Sequence, residues 1–251
     1  MFEVENITVG YGKKQILHNV NVQIRKGRIV CLLGPNGSGK TTLFKALLGM
    51  LPLTTGTIRL DGKAVGTYSS KEFAKKVAYV PQLHNPTFPF TVVDIVCNGR
   101  IAHSSIFSSC SKEDSDIAEE MLDRMGIYKL KEKVYTEISG GERQMVLIAR
   151  AMAQQPEFII MDEPTAHLDY GNQIRTIERI GKMSNDKMGV IFTTHNPEHP
   201  LHCADDVIAL KNGTIEGVGY PQSVISTKMI RQLYDIDVVI DNKRIYHGTL
   251  N

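Results

Sequence analysis

The run Gly34-Pro35-Asn36-Gly37-Ser38-Gly39-Lys40-Thr41 carries glycines and a Lys-Thr pair at the spacing of a phosphate-binding loop. Glycines let a backbone curl until several N–H groups point at phosphate oxygens. A helix opening near Lys40 adds the positive end of its dipole. Lys40 is expected to reach the β- and γ-phosphates of a nucleotide, and the Thr41 hydroxyl to ligate Mg²⁺. Thr42 completes the binding run. A loop of this type alone serves kinases, GTPases, helicases and transporters equally.

A second chemical element is Phe158-Ile159-Ile160-Met161-Asp162-Glu163, an apolar run ending in two acids. Open α/β sheets bind ligands at the carboxyl ends of their strands. Asp162 is expected to hold Mg²⁺ through its water shell, and Glu163 to act as general base on the attacking water. The alternative is an ordinary strand end turning into solvent at Pro164.

A third is Ser139-Gly140-Gly141-Glu142-Arg143-Gln144, ahead of a helical run to about Ala153. Ser139 and Glu142 form a capping box. A cap does not explain adjacent glycines, which disfavour helix. Bare backbone at a helix N-terminus suits close approach to an anion.

These groups need a frame. Apolar residues alternate at Phe2, Val4 and Ile7, and at Val20, Val22 and Ile24, as in strands of a partly exposed sheet. Continuous apolar runs at 29–33, 77–80, 158–161, 190–192 and 207–210 predict buried strands. Helical patterns between several of them imply a largely parallel sheet covered on both faces. From about Val92 to Ala153 the pattern is mostly helical, with Ser111 opening one helix and Gly126 closing it. After about Pro221 the pattern suggests a short helix and a small strand pair.

Composition narrows the class. The 251 residues carry a net charge of +2, from 29 basic and 27 acidic side chains, which gives no electrostatic case for bulk nucleic-acid binding. The acidic N-terminus does not resemble a signal peptide. The apolar runs are too short to span a bilayer. Cys31, Cys97, Cys110 and Cys203 are far apart in sequence and form no CxxC pair, so a reduced, cytosolic chain is expected.

The 139–144 segment resembles the ABC signature, usually Leu-Ser-Gly-Gly-Gln, with Ile138 and Glu142 as departures. The family's other elements follow in order over residues 1 to about 220. The resemblance implies an α/β fold: a P-loop NTPase (RecA-like) core with an ABC-type antiparallel β subdomain and an inserted α-helical subdomain. Residues 1–85 and 156–251 would form the core, and about 86–155 the helical part. By the same resemblance Tyr11 matches the aromatic that stacks on adenine, Gln82 the Q-loop glutamine and Mg²⁺ ligand, Asp169 the D-loop aspartate, and His195 the switch histidine.

Each carried-over role has a plainer competitor. Tyr11 could be a strand-end aromatic, Gln82 a surface amide, and Asp169 a cap for the following helix. His195, Glu198, His199, His202 and Cys203 crowd one segment and could suggest zinc. Pro197 and Pro200 argue against a helix presenting His195 and His199 on one face, which favours contact of His195 with the γ-phosphate. His199 and His202 then read as polar residues of the following turn.

The resemblance further implies a head-to-tail dimer. In it, Lys40 and Thr41 of one chain face Ser139, Gly140 and Gly141 of a second copy across ATP. It also implies two integral membrane permease subunits at the cytoplasmic face of the membrane, and indirectly a substrate-binding protein. Phe88 and Phe90 follow Gln82 and could line a groove for a permease helix, or pack in the core. The wording from Asp162 to Gln173 looks like type II importers of iron chelates, haem and cobalamin. Ferric siderophore is the first choice of cargo, and molybdate-type oxyanions share the class. Two rival classes are ABC ATPases of DNA repair or chromosome structure, which carry long coiled-coil or zinc insertions, and soluble ABC proteins of iron–sulfur assembly or translation, of which the translation type carries two cassettes. This sequence has neither feature.

Overall fold

The computed structural model describes residues 1–82, 89–103, 110–183 and 188–248. In chain order the strands and helices are β1 (Phe2–Tyr11), β2 (Lys14–Ile24), β3 (Ile29–Leu33), α1 (Lys40–Leu47), β4 (Leu53–Leu60) and β5 (Lys63–Ala64). Next come α2 (Ser70–Lys76), β6 (Val77–Val80), α3 (Val92–Cys97), α4 (Lys112–Arg124), α5 (Gly140–Ala153) and β7 (Phe158–Met161). The chain continues through α6 (Tyr170–Lys182), β8 (Gly189–Thr194), α7 (Glu198–Cys203), β9 (Asp206–Lys211) and β10 (Thr214–Gly219). It closes with α8 (Pro221–Val224), α9 (Thr227–Tyr234), β11 (Val238–Asp241) and β12 (Arg244–His247). Two compact units result: Met1–Tyr68 with Ile180–Asn251, and Ser69–Arg179.

The first unit holds two larger sheets and the small β11–β12 hairpin. One is antiparallel, in the order β2-β1-β4-β5. Phe2, Val4, Ile7 and Val9 are buried along β1, and Leu17, Val20, Val22 and Ile24 along β2. The phase slips between Val4 and Ile7 because the ladder is irregular there and Asn6 takes a φ of 51°. In the other sheet β3 runs parallel to both β8 and β9, and β10 lies antiparallel to β9. Ile29 to Leu33 are all buried, as the continuous apolar run required.

The β9–β10 turn is tied into this unit. Asn212 and Gly213 both have positive φ, 49° and 79°, as a two-residue hairpin turn demands. The Gly213 N–H donates to the Ser38 carbonyl at 3.0 Å, and its carbonyl accepts from the His18 N–H at 2.9 Å. A Cβ on Gly213 would overlap the carbonyl oxygen of Ile16.

The second unit pairs β6 with β7 in parallel and carries α3, α4 and α5. Thr91, Ser111 and Ser139 cap these helices, each accepting an N–H of the first turn. Gly126, with φ 68°, follows the end of α4. Arg100 is buried and braces all three helices. Its guanidinium donates to Asp114 Oδ1 at 2.8 Å, the Ala153 carbonyl at 2.9 Å and Gln155 Oε1 at 2.9 Å.

The cysteines depart from expectation. Cys97, ending α3, and Cys110, just ahead of α4, are joined by a disulfide, with Cα atoms 6.3 Å apart. Their separation of 13 residues hid a pairing that the α3–α4 packing creates. Cys31 and Cys203 are free, and burial pushes both thiols up, Cys203 to about 12.

Candidate functional site

The register of the parallel strands places the chemistry. Leu33 stands opposite Thr194 on the last rung of β3 and β8. Gly34 and His195 therefore leave adjacent strands at the same level. Val80 stands opposite Met161 in the second unit. Pro81-Gln82 and Asp162-Glu163 leave that pair in the same way, and the Asp162 N–H donates to the Val80 carbonyl at 2.9 Å. In each unit, then, two predicted site segments issue from the carboxyl ends of neighbouring strands.

In the first unit residues 34–42, expected to cradle phosphate, run from the end of β3 into the first turn of α1. Lys40 is buried at 6% exposure and its ammonium donates to the carbonyls of Gly34 at 2.8 Å and Pro35 at 3.1 Å. Gly37 has open space where a Cβ would point. Gly39, with φ 107°, is the N-cap of α1 and offers no side chain to the first-turn N–H groups. By contrast α2, α3, α4, α5 and α9 each open on a capping Ser or Thr. The Ser38 hydroxyl is 2% exposed and has no hydrogen-bond partner among the described residues. A buried unpaired hydroxyl beside an uncapped helix end fits a phosphate oxygen. Thr41 is exposed and Thr42 buried. Asn36 is exposed on the rim.

Tyr11 ends β1 and is 47% exposed, with the Lys45 ammonium 5.8 Å from its ring centroid. His195 is exposed just beyond β8. Pro197 is the N-cap of a short helix, α7, which holds His199 and His202 but not His195. The sequence reading of a turn there thus becomes a helix that tolerates Pro200 in its first turn. His199 is buried, with Nδ1 2.9 Å from Thr194 Oγ and Nε2 3.3 Å from Asn196 Nδ2. Burial, with nearby His195 and His202, lowers its pKa to about 4.

In the second unit Asp162 is buried at 4% exposure. Glu163 has a φ of 45° although it is not glycine and precedes Pro164. Both facts disfavour that conformation, which costs on the order of 1–3 kcal/mol. Strain of this kind gathers at functional positions. Gln82 is exposed. Phe90 is 42% exposed, whereas Phe88 lies outside the described residues.

The capping box at Ser139 is formed as the sequence predicts, and its hydrogen bonds hold the Glu142 carboxyl below the usual range. The two glycines differ. Gly140 is exposed, with Leu168 at 4.0 Å the nearest group to a built Cβ. Gly141 is buried against the side chain of Asn172. Asn172 donates from its amide to Asp169 Oδ2 at 2.8 Å, while its backbone N–H donates to Oδ1, also at 2.8 Å. Asp169 therefore does cap α6. Sequence reasoning missed Asn172. Its signal was the three-residue spacing from Asp169 within one helical turn.

Residues 17–166 match the family model described as ABC transporter. The chain belongs to the ABC transporter family. It is 41% identical to an uncharacterized ABC transporter ATP-binding protein of Haemophilus influenzae, over 84% of this chain and 80% of that one. The iron(3+)-hydroxamate import ATP-binding protein of Bacillus subtilis is 33% identical, over 94% and 88%. A metal-chelate type ABC transporter solved in an inward-facing conformation matches with a TM-score of 0.84 at 28% identity, covering 98% of this chain and 95% of that one. The fold is that of a P-loop ABC ATPase, and the chain is an ATP-binding, ATP-hydrolysing member of the family. No helix among the described residues is long and apolar enough to cross a membrane.

Proposed function

We propose that this ATPase energises uptake of a metal chelate, with a ferric siderophore as first choice, through two integral membrane permease subunits. Haem, cobalamin and molybdate-type oxyanions are the alternative cargoes. The similarity to an iron(3+)-hydroxamate importer subunit and to a metal-chelate transporter supports this class. The permeases would place the chain at the cytoplasmic membrane face, and a substrate-binding protein would deliver the cargo.

The observation that carries the catalytic reading is the shared exit level of Gly34 with His195, and of Pro81-Gln82 with Asp162-Glu163. Lys40, the 34–39 backbone and the Ser38 hydroxyl hold the nucleotide phosphates. Tyr11 stacks on the base. Thr41, Asp162 and Gln82 offer hydroxyl, carboxylate and amide oxygens, a donor set suited to Mg²⁺, which when bound would neutralise charge on the β- and γ-phosphates. Glu163 takes the proton of the attacking water, and His195 contacts the terminal phosphate. Ser139, Gly140 and Gly141 of a second copy close the site from above, with Asp169 at the same seam. Losing the γ-phosphate then releases the two copies, a ligand-driven population shift.

Glu163→Gln provides the test. The variant is expected to keep ATP affinity, to accumulate as an ATP-bound dimer in size-exclusion chromatography, and to lose nearly all turnover. Hydrolysis at the unsubstituted rate would sink the assignment. Lys40→Ala should instead weaken nucleotide binding. Co-purification of the chain with an integral membrane protein supports the transporter reading, and co-purification with nucleic acid refutes it.

A further inference from the structure

The C-terminal segment lies beyond the residues that the family model matches, and its chemistry points back to His195. Pro221 opens α8 at a position where its missing N–H costs nothing. Ser226 then caps α9 by accepting from the Met229 N–H. Ile230 and Leu233 are buried at 1% and 2% exposure, so one face of α9 is rooted in the first unit. Tyr234 follows on that face, four residues after Ile230, and is the last residue of the helix. Asp235 takes a left-handed φ of 57° and stops the helix there. The Lys211 ammonium on β9 donates to the Gln232 carbonyl, which ties the end of α9 to the strand beside β3.

Two hydrogen bonds run from this anchored segment to the loop after β8. The Tyr234 hydroxyl donates to the backbone carbonyl of His195 at 2.9 Å. The Ile245 N–H, on β12, donates to Glu198 Oε1 at 2.8 Å. The first residue after β8 and the first residue of α7 are thus both held by the last 25 described residues. The inner side of the same loop is held separately, where the Asn196 N–H donates to Thr194 Oγ at 3.1 Å.

We infer that Tyr234 is a positioning residue for His195: the C-terminal helix fixes the backbone from which that histidine projects, and β12 fixes the loop's far end through Glu198. This inference rests on the proposed contact of His195 with the terminal phosphate. A small shift of a group that meets the reacting phosphate lowers turnover without changing how the cradle binds nucleotide. The segment beyond Pro221 then acts on turnover through the position of His195.

The test is Tyr234→Phe in the full-length chain, which removes one hydroxyl and keeps the ring. Expected is a fall in kcat of roughly two- to tenfold, the range one neutral hydrogen bond supports, with KM for ATP and Tm unchanged. Amide hydrogen exchange should accelerate at residues 195–198 and nowhere in the 34–42 loop. An unchanged kcat overturns the inference. So does a fall in kcat with a parallel loss of Tm, which marks general destabilisation. His195→Ala separates the two readings. If it retains wild-type turnover, the phosphate role of His195 fails. If it loses turnover while Tyr234→Phe does not, only the tether fails.

Discussion

A Cβ built on Gly141 would lie 2.5 Å from Cγ of Asn172, so the start of α5 and the start of α6 meet at a distance that only glycine permits. Asn172 is itself clamped. Its amide donates to Asp169, and its carbonyl oxygen accepts from Arg175 Nη2 at 3.0 Å. Asp169 and Gly141 are therefore linked within one chain through a single side chain.

This contact separates two glycines that look equivalent in sequence. Gly141→Ala must push Asn172 aside, with a cost typical of overpacking, about 1–3 kcal/mol. Its Tm and ATPase rate should both fall. Gly140→Ala meets no group of its own chain closer than Leu168. On the proposed head-to-tail dimer it should keep its Tm and lose ATPase activity, because the added methyl would there face the nucleotide of the second copy. Equal Tm values for the two variants would refute the distinction.

Arg100 gives a purely structural prediction. Its side chain and that of Asp114 are 10% and 14% exposed, and the pair is held by two further acceptors. Arg100→Ala leaves the Asp114 carboxylate with its Ser111 hydrogen bond but without the guanidinium, strands the Ala153 carbonyl, and should destabilise the chain by about 3 kcal/mol. Urea denaturation monitored by circular dichroism measures this directly. A loss below about 0.5 kcal/mol would show that water replaces the guanidinium freely.

His199 predicts a pH effect. Its folded pKa is lowered from 6.5 to about 4 by burial and its histidine neighbours. Above pH 6.5 both folded and unfolded chains carry a neutral ring, so the group contributes no pH dependence there. As pH falls below 6.5, the unfolded chain binds a proton that the fold excludes, and stability declines until about pH 4. The total loss is roughly 3 kcal/mol, of which about 2 kcal/mol falls between pH 7 and pH 5. His199→Gln should flatten that slope in denaturation midpoints taken across the range. An identical slope in the variant would remove His199 as the cause.

Legibility in the sequence followed periodicity and punctuation. Ile29–Leu33 and Phe158–Met161 read as buried strands because nothing polar interrupts them, and both are strands. The capping box at Ser139 and the N-cap at Ser111 were legible because each needs only a four-residue pattern, although at Ser111 the structure shows a plain serine cap rather than the reciprocal box. The Cys97–Cys110 bond was not, since it depends on α3 packing against α4. Glu163 was chosen for its chemistry, but its left-handed backbone follows from the turn around it, which no propensity announces. Tyr234 and His195 are 39 residues apart, and no local pattern couples them.

The Asn212–Gly213 turn bears on how this protein can be engineered. An Asn-Gly hairpin tip is ordinarily where a chain accepts an inserted epitope or a new pair of termini. Here the tip is bolted on one side to the carbonyl of Ser38 and on the other to the N–H of His18. Extra residues at that turn would draw Gly213 away from the phosphate loop and release its backbone. Labels and fusion partners therefore belong on another loop.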